Sequence, residues 1–107
     1  MAIWEQEPIP EYKQFMEKFP ELSEKFGGLI GEIMEGPNLD KKTKELIIVC
    51  LLGAQKFEGG FKFHLKEAMN KVATKEEITE ALLLLLVYSD VSSFLKALWW
   101  AKDAGVG

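Results

Sequence analysis

The segment 81–88, Ala-Leu-Leu-Leu-Leu-Leu-Val-Tyr, constrains this chain more than any other. Thr74 and Glu77 stand just upstream as a Ser/Thr-x-x-Glu capping box, so the leucines belong to a helix from Lys75 to about Tyr88. Consecutive helical residues step about 100° around the axis, so five adjacent leucines point in every direction. No single core takes them all. The fold must be one in which neighbouring helices cover part of this element and other subunits cover the rest, which predicts a homo-oligomer. The run is far short of the roughly 18 apolar residues that span a bilayer, so no membrane partner is expected.

The remaining sequence is also helical in period, with no strand-like alternation. Pro10 opens a short helix with Tyr12, Phe15, Met16 and Phe19 on one face. Pro20 suits the first turn of a second, whose stripe is Leu22, Phe26, Leu29, Ile30, Ile33 and Met34. Gly27-Gly28 weakens its middle and Gly36-Pro37 ends it. Asp40 is a natural N-cap for a third helix, 41 to about 56, apolar on nearly every side over 46–54 and therefore central. Gly59-Gly60 reads as the break before a fourth, with Phe61, Leu65, Ala68, Met69 and Val72 facing inward and His64 among them. Ser89 or Asp90 caps a sixth, carrying Phe94, Leu95, Leu98 and Trp99, with Gly105 as its stop. The expected architecture is all-α, about six helices in one domain, with residues 1–38 as N-terminal helices and 39–107 as the core.

Composition narrows the function. Thirteen basic residues, all lysine, against seventeen acids give a net charge of −4, with no basic run, which speaks against nucleic acid as a partner. One cysteine builds no internal disulfide framework, and the acidic N-terminus lacks a signal-peptide pattern, so a cytoplasmic protein is expected. One histidine and one cysteine also leave no multi-histidine metal site and no dithiol centre; no metal or other cofactor is expected.

His64, the sole histidine, is the simplest carrier of proton transfer at neutral pH. It reads equally as a core histidine bonded to a backbone carbonyl. Glu45 reads as an orienter for it or as a solvated partner of Lys41 four residues earlier. With an antiparallel pair turning at Gly59-Gly60, the two side chains are expected roughly 15 Å or more apart. Lys62 and Lys66 flank His64 as anion anchors or as the wet face of the helix. Phe57, Phe61 and Phe63 wall a pocket or fill the core. Cys50, in the middle of the apolar third helix, reads as packing.

Taken in order, Leu39-Asp40-Lys41-Lys42-Thr43-Lys44-Glu45-Leu46, His64-Leu65-Lys66-Glu67-Ala68, Thr74-Lys75-Glu76-Glu77-Ile78-Thr79-Glu80-Ala81 and Val87-Tyr88 resemble the carboxymuconolactone decarboxylase family. That family includes the AhpD-like (alkylhydroperoxidase D) proteins, and the resemblance runs over residues 39–104. It implies an AhpD-like helical fold assembled as a trimer or hexamer. The AhpD-like pattern is a glutamate, eleven residues, a cysteine, one residue, a histidine, a second cysteine, three residues and a histidine. On this chain the glutamate is Glu45 and the last histidine His64, but the cysteines fall on Phe57 and Gly60 and the middle histidine on Gly59. Without those sulfurs a dithiol peroxidase cycle has no chemistry to run. The decarboxylase branch lacks the cysteine pair and keeps the histidine, with arginines where Lys62 and Lys66 stand here. Lysine keeps the charge but not the two-pronged grip on a carboxylate. The resemblance implies a lyase-like enzyme working by cofactor-free acid/base chemistry on a small organic acid or lactone. His64 and Glu45 would be catalytic, and Lys62, Lys66, Phe57, Phe61 and Tyr88 substrate-facing. Peroxiredoxin-type activity and a non-catalytic ligand-binding oligomer are the alternatives.

Overall fold

The computed structural model describes Trp4 and residues 6–107. Those residues form six helices and no strand: α1 (Pro10–Lys18), α2 (Pro20–Met34), α3 (Lys41–Ala54), α4 (Glu58–Asn70), α5 (Lys75–Tyr88) and α6 (Val91–Asp103). The all-α expectation holds. The chain forms two compact units, Met1–Asp40 and Lys41–Gly107. None of the helices is long and apolar enough to cross a membrane.

The first unit is a helix pair. A proline stands in the first turn of each helix, where its missing N–H costs nothing. The two helices meet through Phe15, whose ring lies 5.6 Å from Tyr12, 6.3 Å from Phe19 and 6.0 Å from Phe26. Gly27-Gly28 does not interrupt α2. Ser23 is the one residue of either helix that is buried, and its hydroxyl donates back to the Pro20 carbonyl. Leu22, Phe26, Leu29 and Ile33 remain exposed along α2.

The second unit is built around α3, which packs on α4, α5 and α6. Its core comprises Val49, Phe61, Leu65, Ala68, Ile78, Leu82, Leu85, Ala97 and Ala101, among others. The capping box forms as the sequence requires: Glu77 N–H donates to Thr74 Oγ1 at 3.0 Å and Thr74 N–H to Glu77 Oε1 at 2.9 Å. Asp90, rather than Ser89, caps α6, accepting from Ser93 N–H at 2.7 Å. Of the leucine run, Leu82 and Leu85 are buried while Leu83, Leu84 and Leu86 stay exposed.

Two inward faces differ from expectation. On α6 the buried residues are Ser93, Ala97 and Ala101, with Trp100 against Phe61 at 5.7 Å, whereas Leu95, Leu98 and Trp99 face outward. Small residues let α6 approach closely, and the larger side chains turn away. Val72 is also not inward: it is 78% exposed, because α4 ends at Asn70 and Val72 carries a positive φ of 64°.

That φ belongs to a recurring device. At the ends of α3, α4 and α6 the chain makes a six-to-one bond, Phe57 N–H to Leu52 O, Ala73 N–H to Ala68 O and Val106 N–H to Ala101 O. Each places one residue in the left-handed region: Lys56 at 57°, Val72 at 64° and Gly105 at 94°. Glycine suits this position and β-branched residues resist it. Lys56, not Gly59-Gly60, therefore breaks α3 from α4. Gly59 and Gly60 lie inside the first turn of α4. Gly60 is required there for close packing: a Cβ would meet Phe57 Cδ2 at 2.7 Å and Leu52 Cδ1 at 3.1 Å.

Candidate active site

Starting α4 at Glu58 moves His64 into its second turn and away from the turn between helices. Glu45 lies nine residues before the end of α3, about 13.5 Å along its axis, and His64 six residues into α4, about 9 Å. The axial offset is then about 4.5 Å, which two side chains span. The expected separation of 15 Å or more is thereby corrected. His64 Nδ1 and Glu45 Oε1 stand 2.7 Å apart within one chain.

Glu45 is 1% exposed and the His64 side chain 14%. Neither a solvated Glu45–Lys41 pair nor a histidine held through Nδ1 by a backbone carbonyl describes this arrangement. A buried carboxylate accepts hydrogen bonds and donates none, so Nδ1 carries the hydrogen in the neutral ring. In that tautomer Nε2 is the ring's acceptor nitrogen. The Phe63 ring stands edge-on to the imidazole at 5.1 Å, adding an apolar wall.

Several candidates lie elsewhere. Lys62 and Lys66 are each two residues from His64, about 200° around the helix, so neither shares its face. Lys62 Nζ donates to Glu58 Oε2 at 2.8 Å and to Asp103 Oδ2 at 2.9 Å, and these bonds push its ammonium above the ordinary lysine range. Lys66 is exposed. Phe61 is wholly buried against Trp100 in the core. Phe57 is partly exposed just before α4, and Tyr88, at 85% exposure, ends α5. Only Glu45 and His64 are brought together.

Glu67 was not singled out by sequence as a site residue. It is 2% exposed on α4, three residues after His64 and so on a neighbouring stripe of that helix. The signal available in the sequence was its three-residue spacing from His64.

Cys50 Sγ donates to the Ala81 carbonyl at 3.5 Å, and burial pushes the thiol pKa up. A reactive thiolate needs the opposite setting. Among the described residues no group of three or more His, Cys, Asp or Glu is arranged to hold a metal ion.

Comparison with known proteins agrees with this architecture. The carboxymuconolactone decarboxylase family model matches residues 20–103, and the chain belongs to that family. An uncharacterized protein of Methanocaldococcus jannaschii is 32% identical over 87 residues, 80% of this chain and 84% of that one. The 4-carboxymuconolactone decarboxylase of Acinetobacter baylyi is 29% identical over 80 residues, 71% of this chain and 60% of the enzyme. The match therefore spans less than two thirds of the decarboxylase's length. A second uncharacterized protein of Methanocaldococcus jannaschii is 28% identical over 78 residues, 73% of each chain.

Proposed function

We propose that this protein catalyses cofactor-free proton transfer on a small carbonyl compound, an organic acid or lactone, with His64 as general acid and base. The observation that carries the reading is the 2.7 Å bond between His64 Nδ1 and the buried Glu45 carboxylate. Such a pair does three things. The carboxylate fixes the ring tautomer, aims Nε2, and opposes the charge the ring gains when it accepts a proton. Nε2 then removes a proton next to the substrate carbonyl and returns it to the carbanion or leaving oxygen in the second half of the reaction. Where a carboxylate is lost, the electron pair of its C–C bond passes into the carbonyl-conjugated system and His64 protonates the resulting carbon. Family membership and the 4-carboxymuconolactone decarboxylase relative support this class of chemistry. The raised Cys50 thiol and the absence of sulfur at positions 57 and 60 weigh against the peroxidase alternative.

The test is proton exchange in D2O over a panel of small lactones and keto acids, followed by NMR. General acid–base help is worth on the order of 10²–10⁴ in rate, so His64→Gln and His64→Ala should fall by that factor. Glu45→Gln, which keeps the shape and loses the charge, should fall by about 10² or more. Full turnover in His64→Ala overturns the reading.

The exposed apolar side chains of α5 and α6, including Leu83, Leu84, Leu95 and Trp99, support assembly of this chain into a homo-oligomer, with a trimer or hexamer as the proposal. Light scattering at micromolar concentration checks it, and a monodisperse monomer overturns it.

A further inference from the structure

Given the reading of this chain as a homo-oligomer, the outer face of α5 and α6 specifies how two copies meet. We infer that this face is a two-fold interface, in which α5 of one copy lies antiparallel on α6 of the other with Glu76 facing Lys102. On α5, Glu76, Glu80, Leu83, Leu84 and Val87 are exposed. On α6, Val91, Leu95, Leu98, Trp99 and Lys102 are exposed. Both sets follow one spacing, i, i+4, i+7, i+8 and i+11, so each is a single stripe along its helix. The side chains that enter the core, Ile78, Leu82 and Leu85 on α5 and Ser93, Ala97 and Ala101 on α6, lie on the other side.

Each stripe is charged at one end, acidic where α5 begins and basic where α6 finishes. Only Ser89 and Asp90 separate the two helices, which pack on each other, so they run antiparallel and both charged ends lie together. That makes the face complementary to itself. When a second copy is turned about an axis along the helices, its α5 falls on the first copy's α6. Glu76 then meets Lys102, Leu83 and Leu84 meet Leu95, and Val87 meets Val91. Each contact occurs twice, as an isologous pairing requires. Turned about an axis across the helices, α5 would lie on α5, with Glu76 against Val87 and Lys102 against Val91. Both charges would then lose water without gaining a partner, which is costly. Opposite charge therefore selects the first arrangement. Lys102 Nζ stands 5.4 Å from the Trp99 ring centre, which keeps the ammonium over this stripe. With two acids and one lysine along it, the face does not suit an anionic membrane surface. A two-fold contact belongs to a hexamer built from dimers and has no place in a simple three-fold ring.

The test uses the full chain and two kinds of variant. Leu95→Glu places a carboxylate in the middle of the contact, and should raise its dissociation constant at least about tenfold in sedimentation velocity. Hexamers should fall to trimers, or dimers to monomers, with the helical circular dichroism unchanged because Leu95 is exposed within one copy. Unchanged assembly of this variant overturns the inference. Register is read by cross-linking in a Cys50→Ala background, with two single variants co-expressed and oxidised with diamide. Glu76→Cys with Lys102→Cys should give a disulfide-linked pair of chains on a non-reducing gel, and Glu76→Cys with Val87→Cys should not. The reverse outcome, or neither cross-link, overturns the inference. If the protein is nonetheless oligomeric, the homo-oligomer reading stands and only the interface is lost; a monomer removes both.

Discussion

The two compact units share an amphipathic helical pattern and differ in what they bury. In Met1–Asp40 the helices carry Leu22, Phe26, Leu29 and Ile33 at three- and four-residue spacing, and all four stay exposed. In Lys41–Gly107 the same pattern yields a closed core, two buried carboxylates and the one imidazole. Periodicity identifies a face that can be covered; it does not say what covers it. The carboxylate held against a histidine, on which the proposed chemistry rests, lies in the second unit, where Glu45 is buried.

The contrast is open to direct attack. The largest effect should come from the core: Phe61→Ala empties a site packed by Trp100 and should cost about 3–5 kcal/mol in urea denaturation. A loss below about 1 kcal/mol would mean that the core of the second unit is no better closed than the first unit. Next come the left-handed positions. Val72→Gly relieves a β-branched residue at φ 64° and should stabilise by about 0.5–1 kcal/mol after the entropy of the added glycine is counted, while Gly105→Ala at φ 94° should cost about 1 kcal/mol. Thermal melts of the two variants should move in opposite directions.

A third prediction concerns acid. Hydrogen bonds to the Ser92 hydroxyl and the Ser93 N–H hold the Asp90 carboxyl down at about 2. A depressed folded-state pKa means stability that is present above the unfolded value near 4 and is lost as pH falls towards 2. Asp90→Ala should lower the melting temperature at neutral pH and flatten its decline between pH 4 and 2. The smallest effect belongs to the exposed stripe: Ile33→Ala should change stability by no more than about 0.5 kcal/mol. A larger and concentration-dependent cost would show that another copy covers α2.

What the sequence made legible was governed by local chemistry. Pro10 and Pro20 set helix starts through their fixed φ and missing N–H, Thr74 with Glu77 and Asp90 through bonds to nearby backbone, and the structure has each one. The errors share one origin in long-range packing. Gly59-Gly60 looked like a turn because glycine serves both turns and close approaches, and only the neighbouring Phe57 and Leu52 reveal the second use. That misplacement carried His64 to the wrong level and separated it from Glu45. Lys56 and Val72 gave no warning, since neither residue type favours a positive φ. The outward turn of Leu95, Leu98 and Trp99 was equally illegible, because hydrophobicity alone favours burying the large side chains over Ala97 and Ala101.

The crowding at Gly60 has a further result for how this site can change. Positions 57 and 60 are where AhpD-like proteins carry their cysteine pair, and here the ring at one fills the space a side chain would need at the other. A sulfur introduced at 60 alone would have to displace that ring; introduced after Phe57→Cys, its Cβ would still meet Leu52 Cδ1 at 3.1 Å, the milder of the two contacts. The route between a helix of this kind and one bearing a redox pair is thus ordered, with residue 57 moving first.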